Sequence, residues 1–189
     1  LGDLAAGRAQ QPGPVPDPSE SVLQRRLVLS ELLDLPSFTE VCRGFAELYR
    51  IGLRVYEERG PKLVDIKSGS ADFCAYLFES AHGRALCMRT AARVKDGPVD
   101  ARDGGRPLGG DAPAGILAVP CFSGCRYLVL PVRCEGDVLG RVVFGPFVPD
   151  DLVDLPPSLM SAAGKGFDLG RARQLLARIA DKWVALVLA

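Results

Sequence analysis

From residue 116 to residue 144 the chain reads as three short apolar runs in quick succession, at 116–122, 126–134 and 138–144. The last two are joined by Glu135-Gly136-Asp137. A connection that short reverses the chain and makes antiparallel neighbours, because parallel strands need a crossover of about a dozen residues or more. A doubly wound parallel sheet is therefore excluded for this region. Pro131 falls inside the middle run, where it cannot donate to a ladder, so an edge or bulged position is expected for it.

A second alternating region lies upstream. Ile51, Leu53 and Val55 alternate with Gly52, Arg54 and Tyr56, Glu58-Arg59-Gly60-Pro61 reads as a turn, and 63–66 as the returning strand. Helical spacing flanks both regions. Ser19 and Ser21 cap an expected helix carrying Leu23, Leu27, Leu32 and Leu33, which Pro36 ends. Ser37 and Glu40 form a capping-box pattern ahead of the stripe Phe38, Val41, Cys42, Phe45, Leu48 and Tyr49. Ser70 and Asp72 open two further short helices with Phe73, Leu77, Phe78, Leu86 and Met88, broken near His82-Gly83. Pro146, Pro149, Pro156 and Pro157 mark a loop, and a last helix is expected from about residue 169 to the end.

This order predicts an α+β domain with a five-stranded antiparallel sheet, helices on one face and terminal helical extensions, the plan of PAS and GAF sensory modules. Residues 1–19 hold four prolines and three glycines without an apolar period and read as a disordered linker. The sensory domain is expected over 20–150 and a C-terminal helical extension over 151–189. Residues 95–114, rich in Gly, Pro, Asp and Arg, read as a mobile surface loop. Its glycines at 104–110 lack the following helix and the Lys-Ser or Lys-Thr that a phosphate cradle needs.

Composition narrows the function. With 23 basic and 23 acidic side chains the net charge is zero, which argues against a nucleic-acid or anionic-membrane surface. No apolar run reaches the roughly 18–20 residues of a membrane span, and the first residues lack the basic start and apolar stretch of a signal peptide. The chain opens on Leu1 and not on Met, so a preceding segment is expected in the parent protein. Six cysteines without a Cys-x-x-Cys pair, in a chain large enough for a core, suggest reduced thiols and a cytoplasmic location.

Four stretches are more specific. They are Ser70-Ala71-Asp72-Phe73-Cys74, Gly83-Arg84-Ala85-Leu86-Cys87, Pro120-Cys121-Phe122-Ser123-Gly124, and the run from Leu130-Pro131 to Leu139-Gly140. In order and spacing they resemble the PocR sensory domain over about residues 30–150. The resemblance implies a PAS-like fold that binds small hydrocarbon derivatives such as diols, within bacterial transcription regulators or sensor kinases. One departure stands out: relatives usually carry Cys-His-Ala-Gly-Leu where this chain has Cys121-Phe122-Ser123-Gly124-Cys125. A role resting on that His is not available here.

The candidate ligand-binding residues are Phe73, Cys74, Tyr76, Cys87, Cys121, Phe122, Ser123 and Tyr127, an apolar set with two hydroxyls for an alcohol-like ligand. Plain core packing is the simpler reading of any one of them. If a metal binds, Cys74, Cys87, Cys121 and Cys125 are its ligands, but without tight spacing these thiols read first as small buried hydrophobes. No metal and no cofactor is expected. His82, the only histidine, reads as a capping or surface residue and not as half of a catalytic dyad. The function expected is therefore sensing of a small apolar or hydroxylated molecule without chemistry upon it, relayed through terminal helices to an output domain. A homodimer is expected through the stripe Leu175, Leu176, Ile179, Trp183, Leu186 and Val187 together with the leucines at 23–33. The alternatives are a dimerisation or interaction module without a small ligand, and a cysteine-based metal or redox sensor.

Overall fold

The computed structural model describes residues 27–67, 71–97, 106–107, 116–162 and 167–179. A short helix α1 (Leu29–Leu32) leads into α2 (Leu35–Tyr49), followed by the hairpin β1 (Leu53–Glu57) and β2 (Lys62–Ile66). Then come α3 (Ala71–Glu79), α4 (Ala81–Asp96), and the strands β3 (Arg106–Pro107), β4 (Leu117–Pro120), β5 (Arg126–Cys134) and β6 (Asp137–Phe147). Helices α5 (Pro157–Ala162) and α6 (Leu169–Leu176) follow. The strands form one antiparallel sheet in the order β2-β1-β6-β5-β4-β3, in which β3 adds two residues to a five-stranded PAS-like core.

The β5–β6 hairpin turns on Glu135 and Gly136, both with positive φ (51° and 95°), the two-residue geometry whose twist matches that of the flanking strands. Among the described residues Pro131 pairs only with Arg141 of β6, the β4 pairing reaching no farther than Val129. A register shift follows at Val132/Arg133. Among the described residues the missing amide hydrogen costs no ladder bond.

Helices cover both faces of the sheet, not one. Alternation along β1 sends Leu53 and Val55 toward Cys42, Phe45 and Ala46 of α2, with Leu128 and Phe144 beside them; the Phe45 and Phe144 rings lie 5.3 Å apart. The opposite face, with Leu117, Val129 and Val143, meets Val94 of α4. Buried Arg141 on β6 clamps the end of α4, its Nη1 donating to the carbonyls of Gly97 (2.8 Å) and Val94 (3.4 Å). A third cluster unites α3 with the C-terminal segment through Phe73, Tyr76, Leu77, Leu155, Leu159 and Ala172.

Several element ends differ from expectation. The α2 helix starts at Leu35 with Asp34 as N-cap, so Ser37 lies inside it and Pro36 belongs to its first turn. A proline is accommodated there because first-turn amides have no intrahelical acceptor to lose. The α3–α4 break falls at Ser80, whose Oγ accepts from the Gly83 amide (2.9 Å), so His82-Gly83 belongs to the first turn of α4. Pro157 likewise starts α5 within the stretch expected to be loop. The last helix stops at Leu176, after which Arg178 and Ile179 bond three residues back in a tighter turn. Ser19, Ser21, Leu23, Trp183, Leu186, Val187 and most of 95–114 lie outside the described residues.

Candidate functional site

Helix α3 presents two different faces. Large side chains at 73, 76 and 77 are buried in the core shared with α6. At 71, 74, 75 and 78, spaced as one helical stripe, stand Ala, Cys, Ala and Phe. The small members of that stripe leave room, and so does the strand opposite, where Gly52 and Gly145 meet through a bond from the Gly145 amide to the Gly52 carbonyl (2.9 Å). Gly145 has φ of +118°, and a Cβ there would stand 3.0 Å from the Arg126 carbonyl oxygen and 3.2 Å from the Tyr127 ring, so a side chain there is strained. The result is a cavity of about 600 Å³ between α3 and the sheet, completed by Arg54, Lys67, Glu79 and Pro146.

Its wall is mostly apolar, and its charges are few. Arg54 comes from β1 on the face away from α2, and its Nε donates to Asp65 across the hairpin (3.2 Å). Asp65 also takes the Lys62 ammonium. Burial would raise the Asp65 pKa, but Lys62 and then Arg54 hold it below the ordinary carboxylate value. Asp65 is therefore a fixed anion shared by two cations.

A thiol-rich wall lies behind the cavity. Cys74, Cys87, Cys121 and Cys125 are close enough to influence one another, with Tyr127 beside Cys74 and Cys121. Burial, with Cys121 adding to it, pushes the Cys74 thiol up to about 11. Burial pushes Cys87 up to about 12, and Cys125 to about 12 against a hydrogen bond with Ser123 that pulls it down. Burial raises the Tyr127 hydroxyl as well. The thiols of Cys74, Cys87 and Cys125 are neutral at pH 7, whereas nucleophilic attack requires thiolate. Among the described residues, no three His, Cys, Asp or Glu side chains are grouped to hold a metal ion.

The chain matches the family model of the sensory domain found in PocR over residues 31–181. It belongs to that family. No curated protein and no solved structure matches it. The PocR match runs past β6 to take in α5 and α6, whose residues share one cluster with α3. Among the described residues, no helix is long and apolar enough to cross a membrane.

Of the residues singled out in the sequence of this PocR domain, Cys74 lines the cavity and Tyr127 adjoins it at Gly145. Phe73 and Tyr76 face the other way, into the α3–α6 core, and the Tyr76 hydroxyl accepts from the Asp168 amide (2.8 Å) and donates to its carbonyl (3.1 Å). Cys121, Phe122 and Ser123 form the turn joining β4 to β5, closed by a bond from the Cys121 amide to the Cys125 carbonyl (2.8 Å). Phe122 packs toward the α3–α6 cluster along with Cys87, and buried Ser123 donates to the Cys121 sulfur (3.3 Å). His82 is exposed on α4. Sequence reasoning did not pick out Gly52, Arg54, Lys67, Ala71, Ala75, Phe78, Glu79, Gly145 or Pro146. Two signals pointed to them: small residues at i and i+4 on an otherwise bulky helix, and an arginine inside an apolar strand.

Proposed function

We propose that this PocR domain senses a small, largely apolar or hydroxylated molecule, held between α3 and the sheet, within a bacterial signalling or transcription-regulatory protein. The observation that carries this reading is the cavity of about 600 Å³, a size typical of small-molecule sites, built where Gly52, Ala71, Ala75 and Gly145 withhold side chains. The neutral thiols and the sensory character of the family support binding without chemistry. A ligand shifts a conformational equilibrium only through differential affinity for its states. Here α3 is the element to bias, since the helix that borders the cavity is tied through Tyr76 to the Asp168 backbone at the start of α6. Movement of α3 would reach the C-terminal helix by that contact and pass to an output domain.

The test is ligand-dependent thermal stabilisation, measured with a panel of short alcohols and diols alongside a native mass spectrum of the purified domain. Saturation at about 100 times Kd contributes about 2.7 kcal/mol and raises Tm. Ala75→Trp fills the cavity and is expected to abolish that rise while leaving the unliganded Tm nearly unchanged. Equal stabilisation of the variant and the parent would move the site elsewhere.

A second reading, dimerisation, is favoured by Val41 and Leu48, which stand 70% and 74% exposed seven residues apart on one face of α2. Leu175, Leu176 and Ile179 of the stripe expected to dimerise are already packed against the α3 core. Sedimentation of the domain with Leu48→Glu separates this contact from a terminal-helix dimer.

A further inference from the structure

We propose that the molecule held in the α3 cavity is an anion, a short-chain carboxylate whose carboxyl group is taken by Arg54 and whose apolar stem lies along α3. The inference rests on the cavity being the ligand site and adds the chemical class of the ligand.

The charges around the cavity carry it. Arg54 is half-buried, its side chain 32% exposed, on the sheet side of the cavity. A guanidinium has five N–H donors in a rigid fork. Among the described residues, Arg54 spends only Nε on a protein acceptor, Asp65. That carboxylate is shared with Lys62, so two cations stand on one anion and a positive charge remains at the cavity. Lys67, the residue after β2, adds a second cation at the rim. β6 contributes only Gly145 and Pro146, neither of them charged.

A carboxylate satisfies a guanidinium edge through paired, charge-assisted bonds, and in a partly dry site these are stronger than the single neutral bond an alcohol accepts. Alanines and Phe78 along α3 then suit a hydrocarbon stem. Glu79 is the one anion of the lining, at the end of α3. It repels a second carboxylate and accepts from a hydroxyl, so a hydroxy acid fits better than a dicarboxylate.

A six-carbon series tests this by calorimetric titration of the full chain: hexanoate, 6-hydroxyhexanoate, adipate, hexan-1-ol and hexane-1,6-diol. Hexanoate and 6-hydroxyhexanoate are expected to bind about tenfold more tightly than hexan-1-ol, with adipate weaker than either. Arg54→Gln is expected to erase the preference for the acids and leave the alcohols unchanged, and Glu79→Gln to restore adipate. Arg54 also braces the hairpin, so Arg54→Lys supplies a folded variant that keeps the charge without the fork, for which an intermediate preference is expected. Unmodified protein gives an independent measure: added salt weakens hexanoate severalfold and spares hexan-1-ol. If alcohols bind as tightly as acids and Arg54→Gln changes neither, the carboxylate inference is overturned while the ligand site stands. If no member of the series binds, both the inference and the ligand reading fall.

Discussion

The two faces of α3 are built from the same nine residues to opposite ends. On the inner face Phe73 and Leu77 are at most 2% exposed, and Tyr76 spends its hydroxyl twice on the Asp168 backbone. On the outer face two alanines and a cysteine stand across from glycines, and an open cleft of about 600 Å³ lies between them. Small side chains on both walls keep that cleft open to solvent, so these residues make fewer packing contacts than a closely packed core would give them. One face thus anchors the helix to α6, and the other leaves room for something else to complete the packing. The difference teaches that the site is defined by what is absent from it.

The comparison predicts unequal costs for truncating two phenylalanines five residues apart. Phe73→Ala removes a ring that is 1% exposed, and about 3–5 kcal/mol of stability should be lost with it, read as the shift of a urea unfolding midpoint at constant m. A loss below about 1 kcal/mol would mean that the inner face is as loosely packed as the outer and would remove the contrast.

Alkaline pH probes the wall between the two faces. Cys74 and Cys125 have folded values of about 11 and about 12 against an ordinary 9.0. Because the folded values are raised, the folded state holds its protons longer than the unfolded chain does. The stability these thiols contribute is therefore complete below pH 9 and is lost as pH climbs from 9 toward 11–12. For each thiol the slope in that window is at most about 1.4 kcal/mol per pH unit. Urea midpoints should be level from pH 7 to about 8.5 and then fall, and less steeply in Cys125→Ala. A midpoint that stays level to pH 10.5 would mean that water reaches these thiols and that the wall is not dry.

Much of the sheet was legible because its signals are local. The Glu135-Gly136 reversal and the alternation of Leu53 and Val55 with Arg54 act over two to five residues, and no distant contact overrides them. Helix starts were less legible: Ser37 with Glu40 makes a sound cap pattern, but Pro36 also fits a first turn, and docking of α2 on the sheet favoured the longer helix. The second covered face was hidden because alternation marks which side of a strand is apolar and not which helix will lie on it. The cavity was the least legible. Attention to aromatics and thiols led to Phe73, Tyr76 and Phe122, which pack into the core, because large residues draw notice whether or not they surround a space. Gly52 and Gly145 are more than ninety positions apart in the sequence, and only the β1–β6 pairing brings them together.

The smallest expected effect is at Phe78, the outer counterpart of Phe73. The residue is 42% exposed, it lines the cavity, and its ring lies 5.5 Å from the Arg84 guanidinium. An exposed cation–π contact is worth roughly 0.5–1 kcal/mol, and little further packing remains to be lost. Phe78→Ala should therefore change stability by about 1 kcal/mol or less, several times below Phe73→Ala. Affinity should respond in the opposite order. A ring that borders a ligand and few protein atoms contributes to the complex more than to the free fold, so Phe78→Ala should weaken hexanoate by about tenfold while scarcely moving the urea midpoint. Both readings come from one preparation. If stability falls as far as in Phe73→Ala, Phe78 closes over its own core and α3 has one kind of face, not two; if affinity is untouched, the stem of the ligand does not run along this helix.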